Sequence, residues 1–356
     1  MLGHRHYFPI LRWKRGEYIA LRELQGEDRV GITPLVELVP RTQTWSGDQT
    51  ARQAEMLVAE IDKSWGTSPL LIDPQHLSEQ APPGRVLSAI SEAAPRQLQL
   101  VPVVGLARTD DYYSAVQSTL AVSRSVALRI QRSELSETGI AQRVSATLAR
   151  LGITPERAYL IIDFSYLPQP DSMYPNLGEL IHKLPRWNAW LNIVLAGGAF
   201  PPDLTSFQPG QHRHPRSDWQ AWTRLINGKV AGRRPAYGDY ATLHAIYSPP
   251  PAGANPSASI RYTASTDWVI MRGEGVRTPR GGGHAQWPAN AQLLRERAEF
   301  CGEDYSYGDA YIARMAGQMT PTGNAETWLR AGVNHHLTFV VRQVAKLGVG
   351  EGNGEP

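Results

Sequence analysis

The chain has 356 residues, of which 42% are hydrophobic and 19% charged, and its net charge is +3. This length suits one large domain or two ordinary ones, and so weak a positive charge does not by itself indicate nucleic-acid binding. Cys301 is the single cysteine, which excludes an intrachain disulfide framework and a thiolate metal cluster. The chain starts without a signal-peptide pattern and has no apolar run of membrane-spanning length, so we expect a cytoplasmic protein that contacts no membrane.

Short apolar runs alternate with longer amphipathic stretches through the first two-thirds of the chain. The apolar runs are bounded by proline, glycine or polar residues, which is typical of buried parallel strands. The stretches between them carry apolar residues three or four positions apart and predict helices. The predicted strands lie at 6–13, 31–40, 68–74, 98–106, 125–130, 158–164 and 190–198.

This alternation predicts a parallel sheet with right-handed crossovers. An eighth strand at 237–244, after an inserted loop at 201–235, would close the sheet into a (β/α)8 TIM-type barrel. The alternative is an open doubly wound sheet. Such a sheet usually has a G-x-G-x-x-G turn after its first strand, whereas this chain has LRWKRGEY there. We therefore favour the barrel, and we expect no nicotinamide, flavin or haem cofactor.

The sequence changes character after residue 245. The segment 259–274 predicts a β-hairpin, and the segments 287–305 and 324–348 predict helices that close the fold. We expect a single barrel domain over 1–345, with a C-terminal elaboration at 245–345 and a disordered tail at 346–356.

Polar residues interrupt the apolar runs near their C-terminal ends, where barrel proteins carry their functional groups. Residues two apart on a strand share a face, so several of these side chains should project into one mouth. Buried charges are costly unless they pair with each other, a metal or a ligand. The candidates are Arg12, Lys14, Glu37, Asp73, Gln75, Arg108, Arg129, Gln131, Asp163, Ser165, Gly197, Gly198 and Asp239.

These residue types predict phosphate chemistry at the mouth. The predicted catalytic residues are Glu37 and Asp163, and the predicted ligands of Mg²⁺ or another divalent metal are Asp73, Asp163 and Asp239. Cationic side chains and backbone N–H groups after a seventh strand bind phosphate in many barrels. The predicted ligand-binding residues are Lys14, Arg108, Arg129, Gln131, Gly197 and Gly198.

Other interpretations stay open at this point. The carboxylates and cations could neutralise one another as a structural charge network. No single general base stands out among His76, His244, His284 and the adjacent pair His335 and His336. The segment 212–235 interleaves basic residues with tryptophans, which fits either a nucleic-acid contact or a solvated insertion over the barrel rim.

Several short stretches of distinctive sequence lie along the chain. They are KRGEYIALREL (14–24), ITPLVELVP (32–40), IIDF (161–164), GGAFP (197–201), YGDYA (237–241), IRYT (260–263), WVIMRG (268–273) and WLRAGVNHH (328–336). Together they resemble the beta family proteins, a family named for the beta protein of T-even bacteriophages. The resemblance covers residues 6–345 and departs from the family pattern at 206–235. It implies a role in phage–host conflict and no particular reaction.

We therefore predict a phage-defence or phage–host-conflict barrel that binds a phosphate-bearing ligand, either a nucleotide or nucleic acid. In one version of this prediction the barrel is a metal-dependent phosphoester hydrolase. The alternative is a non-catalytic module that recognises a phage protein or serves as a subunit of a defence complex, through exposed aromatics such as Trp45, Trp219 and Trp222. The closed barrel also predicts that Asp239 lies near Lys14 and the seventh-strand glycines.

Overall fold

A closed barrel of eight parallel strands forms the centre of the protein. The computed structural model describes residues 3–40, 45, 49–77, 81–169, 177–228, 232–279, 281–318 and 322–347. The barrel strands are β1 (Tyr7–Arg12), β2 (Leu35–Glu37), β3 (Leu70–Asp73), β4 (Leu100–Val104), β5 (Val126–Gln131), β6 (Ala158–Tyr166), β7 (Asn192–Gly198) and β9 (Ala236–Asp239). The predicted (β/α)8 TIM-type barrel is thus confirmed. Of the predicted tail at 346–356, residues 348–356 lie outside the described residues.

Helices follow the barrel strands and cover the outside of the sheet. They are α1 (Arg15–Arg22), α2 (Gly26–Val30), α3 (Thr50–Trp65), α4 (Pro83–Ala93), α5 (Asp110–Ser123), α6 (Arg132–Leu135), α7 (Ile140–Leu151), α8 (Leu177–Lys183) and α9 (Ser217–Asn227). The Thr109 side chain caps α5 by accepting from the Tyr112 N–H. Gly152 ends α7 in the left-handed conformation, which suits glycine. Within the described part of the chain, no helix is long and apolar enough to cross a bilayer.

Strand alternation divides the core into two parts. Side chains that face the barrel axis form one apolar cluster, which includes Phe8, Ile10 and Leu71. Side chains of the opposite parity, such as Tyr7 and Tyr237, pack outward against the helices in a larger cluster. A polar side chain in a strand therefore reaches the barrel axis or the helical layer according to its parity alone.

The segment after β7 is built into the fold instead of lying over it. Its first part forms β8 (Gly210–Pro215), outside the barrel, and α9 then follows as a barrel helix. Trp219 and Trp222 are buried and pack against Tyr237. Trp45 is buried as well. The expectation that Trp45, Trp219 and Trp222 are exposed is wrong. The aromatic side of α9 packs on the sheet, whereas most residues of β8 are exposed.

The C-terminal elaboration adds a small sheet and three helices. The predicted hairpin is confirmed as β10 (Ile260–Thr263) and β11 (Asp267–Arg272), and β8 pairs with β11 as a third antiparallel strand. The helices are α10 (Gln286–Arg295), α11 (Tyr307–Met315) and α12 (Ala325–Ala345). The second half of α12 packs in the same outer core as the barrel helices, next to α1. We therefore regard α12 as the eighth helix of the barrel.

Buried polar contacts join α12 to the barrel. The Asn334 side chain donates to the backbone carbonyl of Ala20 in α1. His336 Nε2 lies 2.9 Å from the Asp239 carboxylate at the end of β9, and the Tyr7 hydroxyl donates to the same carboxylate. Burial by itself would raise the pKa of the Asp239 carboxyl. The charge and hydrogen bond of His336, together with the hydrogen bond from Tyr7, outweigh burial, and the net pKa is lower than that of an ordinary aspartate. These contacts attach the C-terminal elaboration at the barrel's closing strands.

We expect Asp239→Ala to destabilise the protein by about 3 to 5 kcal/mol, because it leaves His336 and Tyr7 buried without their shared acceptor. The free energy of unfolding in urea measures the effect. Asp304→Ala, at an exposed aspartate, is the control and should change stability little. Equal losses in the two variants would contradict this interpretation of the Asp239 contacts.

Candidate functional site

Four charged side chains and a tyrosine meet on the barrel axis at the C-terminal end of the strands. We call Arg129, Glu37, Asp73, Asp163 and Tyr240 the inner cluster. The Arg129 guanidinium lies 2.9 Å from Glu37, 2.9 Å from Asp73 and 2.6 Å from Asp163. It also donates to the Tyr240 hydroxyl, and that hydroxyl donates to Asp163. All five side chains are buried, so this is a charge network inside the barrel.

Strand register explains why these side chains meet. Arg12, Glu37 and Asp73 are neighbours in register across β1, β2 and β3, and Gln131 is the neighbour of Asp163 across β5 and β6. Arg129 lies two positions before Gln131 on the same face of β5. Its long side chain therefore reaches up to the level of the carboxylates.

The carboxylate of Glu37 has a strongly lowered pKa. Burial alone would raise its pKa, but Arg129, His76 and Arg12 outweigh burial and lower the pKa to about 2. Its Oε1 accepts from Gln75 and Arg129, and its Oε2 lies 3.0 Å from His76 Nε2. Glu37 is therefore ionised, and its contacts with Gln75, Arg129 and His76 hold its carboxylate in one orientation.

A second group of side chains lies above the inner cluster, and all of its members except the buried Arg12 reach solvent. We call Arg12, Lys14, His76, Arg108 and Tyr247 the rim. The Arg12 guanidinium and the Lys14 ammonium lie 5.2 Å and 5.1 Å from the centre of the Tyr247 ring. The His76 ring lies 5.0 Å from the same ring. Arg108 is 2.7 Å from Asp73, and the Asp73 charge outweighs burial and raises the Arg108 pKa.

The chain after β9 brings Tyr247 to the rim. Tyr240 and Ala245 pack into the apolar cluster on the barrel axis. One nitrogen of Arg12 donates to the carbonyls of His244 and Ala245 and holds this segment in place. The segment therefore folds back over the strand ends, and its next aromatic residue contacts the rim cations.

Glu17 is a buried carboxyl next to the rim. It accepts a hydrogen bond from the backbone N–H of Arg12, while its other oxygen is buried with no partner among the described residues. Burial raises the pKa of Glu17 to about 8, against the Arg12 contacts and the Lys14 charge. At neutral pH Glu17 is mostly protonated, so it does not cancel the charge of Lys14.

The remaining predicted ligand-binding residues differ in their placement. The amide of Gln131 is 3.4 Å from Asp163, at the edge of the inner cluster. Gly197 and Gly198 lie inside β7, where Gly197 pairs with β9 and Gly198 with β6. A Cβ at Gly198 would come 3.0 Å from the Tyr240 ring. These glycines therefore provide sheet pairing and room for Tyr240, instead of the open phosphate-binding loop that was expected.

The structure does not bring Asp239 together with the other predicted metal ligands. Its backbone is in register with Gly197, as predicted, but its side chain has the outward parity and contacts His336 in the helical layer. Lys14 lies against Tyr247 at the rim. The strand count predicted the correct position of Asp239 along the barrel axis. It did not predict the face of the sheet to which the Asp239 side chain points.

The predicted metal ligands all have hydrogen-bonding partners in the structure. Among the described residues, no group of three possible metal-ligating side chains is arranged so that it could hold a metal ion. Asp73 and Asp163, two of the predicted ligands, both accept hydrogen bonds from Arg129. Their oxygens are thus engaged by a guanidinium that a cation would have to displace. A metal role for Asp73, Asp163 and Asp239 stays a prediction.

Of the candidate histidines, His76 is bonded to a carboxylate at the mouth. His335 and His336 are both fully buried between α12 and its neighbours, where they contact Asp309 and Asp239. His244 Nδ1 lies 2.9 Å from the backbone carbonyl of Phe200. The side chain of His284 is exposed to solvent. His76 is therefore the histidine best placed for chemistry.

Sequence reasoning missed three residues of the site. Tyr240 follows the Asp239 motif directly, and its inward parity would have indicated the barrel axis. Glu17 lies in the first turn of α1, where a carboxylate normally favours the helix dipole, so nothing in the sequence signalled its burial. Tyr247 reaches the rim through a loop whose path depends on tertiary contacts.

Comparison with known proteins agrees with the fold and adds a family. The family model described as Beta protein matches residues 7–342. The chain belongs to this family. No curated protein matches the sequence. Several of the family-like stretches occupy defined places in the structure: IIDF carries Asp163 of the inner cluster, YGDYA carries Asp239 and Tyr240, and WLRAGVNHH carries the α12 contacts.

We expect Arg129→Met to destabilise the barrel by about 3 to 5 kcal/mol at pH 7, because it leaves three buried carboxylates without their common partner. The folded-state pKa of Glu37, about 2, lies below its ordinary value of 4.5. Its ionisation therefore stabilises the wild type above pH 4.5, and that stabilisation is lost as the pH falls toward 2. The deficit of the variant should shrink as the pH is lowered.

Urea unfolding of the wild type and Arg129→Met at neutral and acidic pH measures this difference. Arg143→Met, which removes a partly exposed arginine from α7, is the control. A deficit that stays constant with pH would mean that Arg129 acts by packing alone.

We expect Glu17→Gln to stabilise the protein as the pH rises. The Glu17 carboxyl ionises near 4.5 when unfolded and near 8 when folded, so the wild type loses stability over this interval. Glutamine does not ionise, and the variant should gain roughly 2 to 4 kcal/mol over the wild type by pH 8. Unfolding at pH 5 and pH 8 tests this, with the exposed Glu27→Gln as a control that should show no such trend.

Proposed function

We propose that the C-terminal mouth of the barrel binds a phosphate-bearing ligand, a nucleotide or a nucleic-acid strand, through the rim cations. The observation that carries this proposal is the charge balance between the two layers of the mouth. The three inner carboxylates all contact guanidinium groups, whereas the rim presents further positive charge to solvent. In phage–host conflict, the setting that the family resemblance implies, such a ligand would be a nucleotide signal or foreign nucleic acid.

The charges of the inner cluster, the rim and Glu17 add up to a surplus of positive charge. Three carboxylates of the inner cluster face three guanidinium groups, those of Arg12, Arg108 and Arg129. Lys14 adds an exposed ammonium, and Glu17 is largely neutral at pH 7 because burial raises its pKa to about 8. A surplus of positive charge over a poorly solvated barrel core attracts anions.

The rim cations also have hydrogen-bonding capacity left for a ligand. Arg108 uses one terminal nitrogen for Asp73, and Arg12 uses one terminal nitrogen for two backbone carbonyls. Within the described residues, the other terminal nitrogen of each guanidinium makes no hydrogen bond. A guanidinium that is anchored at one nitrogen and open at the other is well suited to hold a phosphate oxygen.

Aromatic side chains at the mouth favour a ligand with a ring next to its phosphate. Tyr247 and Tyr166 are partly exposed there, and Tyr166 packs against His244 with ring centres 4.6 Å apart. Aromatic rings beside cations bind bases by stacking without reading their sequence. This combination supports nucleotides and single strands over inorganic phosphate.

We expect the protein to bind AMP more tightly than adenosine, and short single-stranded oligonucleotides with an affinity that falls as salt is added. Lys14→Gln and Arg108→Gln should each weaken AMP binding about tenfold, since each removes a charged contact to phosphate. Isothermal titration calorimetry measures both. Lys63→Gln and Arg143→Gln remove equal charge from the surface of α3 and α7 and should leave the affinity unchanged.

Equal affinity for AMP and adenosine, or no effect of Lys14→Gln and Arg108→Gln, would contradict the proposal. If no phosphate-bearing probe binds while a phage or host protein is captured in stoichiometric amount, the non-catalytic binding module becomes the better description.

A further inference from the structure

We infer that His76 is the general base of a phosphodiester hydrolase at this mouth, with Glu37 as the positioning residue that orients its ring. The inference rests on the proposed binding of a phosphate-bearing ligand and adds a reaction to it. It differs from the metal-dependent scheme because its proton transfer uses a side chain that the structure already holds in place.

The Glu37 contact determines which nitrogen of His76 is available. Nε2 lies 3.0 Å from the Glu37 carboxylate, whose pKa of about 2 keeps it ionised at neutral pH. An ionised carboxylate accepts a hydrogen bond, so Nε2 carries the proton and Nδ1 is left with its lone pair. Within the described part of the chain, Nδ1 makes no hydrogen bond. A carboxylate that fixes the tautomer of a partly exposed imidazole is the arrangement found in general bases.

The loop that carries His76 is held at several points. Asp73 accepts from the backbone N–H of Gln75, and the Leu77 N–H donates to the carbonyl of Pro74. The Gln75 side chain bonds Glu37 on one oxygen while His76 bonds the other. The imidazole ring lies against Tyr247. The position of His76 is therefore determined by the barrel and the rim together.

The same contacts place phosphate-binding groups next to the base. Lys14 and His76 both lie against the Tyr247 ring, the ammonium 5.1 Å and the imidazole 5.0 Å from its centre. Arg108 is bonded to Asp73, the strand neighbour of Glu37. A phosphate held by Lys14 and Arg108 would thus lie beside His76, with the uncommitted nitrogen within reach of an attacking water.

The reaction balances without a further reactant. Nδ1 of His76 takes a proton from a water molecule as the water oxygen bonds to phosphorus. The bond from phosphorus to the leaving oxygen breaks, and that oxygen keeps the electron pair and takes a proton from solvent. His76 then releases its proton to solvent. A phosphodiester and water yield a phosphomonoester and an alcohol, and the rim cations offset the charge that develops on the phosphate oxygens.

The test uses the full chain in EDTA with two probes, bis(p-nitrophenyl) phosphate and a single-stranded oligoribonucleotide. We expect cleavage by the wild type and a fall in kcat of roughly 100-fold in His76→Ala, with AMP binding retained. Added imidazole should restore part of the His76→Ala activity. Glu37→Gln should lower kcat more than it raises KM, because it disturbs the ring's orientation, and circular dichroism confirms that the variant is folded. His182→Ala, at an exposed histidine of α8, should behave as the wild type.

The outcomes separate this inference from the proposed function. A wild type that binds AMP but cleaves neither probe in EDTA overturns the role of His76 and leaves the binding site intact. Full activity in His76→Ala also overturns it. A wild type that neither binds nor cleaves rejects the phosphate-binding proposal itself.

Discussion

The contact of Arg129 with three carboxylates is the constraint on which the mouth of this barrel depends. A guanidinium on the axis of a barrel is unfavourable unless anions surround it, and three buried carboxylates are unfavourable unless a cation lies between them. Arg129 meets both conditions with Glu37, Asp73 and Asp163. Arg12 and Arg108 balance the remaining charge of the carboxylates, which leaves the ammonium of Lys14 as the surplus positive charge at the open end of the barrel. The structural charge network and the binding site are therefore two layers of one arrangement.

Strand parity decides the role of each carboxylate. Asp239 ends β9, and Asp163 lies where the pairing of β6 becomes irregular. Both carboxylates accept a hydrogen bond from the backbone N–H two residues later. The residues that donate, Ser165 and Ala241, both have a positive φ. Asp163 faces the barrel axis and contacts Arg129, while Asp239 faces outward and contacts His336. The same local turn thus places a carboxylate in the inner cluster at β6 and a carboxylate that binds α12 at β9.

The C-terminal elaboration completes the barrel as well as extending it. The eighth barrel helix is α12, which is separated from β9 by a hairpin and two helices. Its return to the barrel depends on the contacts of Asn334 and His336 with α1 and β9. The chain that leaves β9 also supplies Tyr247 to the rim. The site and the closure of the fold therefore share one stretch of chain, which couples the stability of the elaboration to the geometry of the mouth.

The sequence alone indicated the barrel and the charged residues near its strand ends, because short apolar runs between amphipathic stretches, and charges inside apolar runs such as LIIDF, are local signals. It also indicated the hairpin and the closing helices. Only the tertiary structure decided that Asp239 faces the helices, that Trp219 and Trp222 are buried, and that Glu17 lies beside the rim. Each of these depends on which element packs against a given face. His76 was one histidine among several until the fold placed it 3.0 Å from Glu37, because that contact joins loops and strands far apart in the chain.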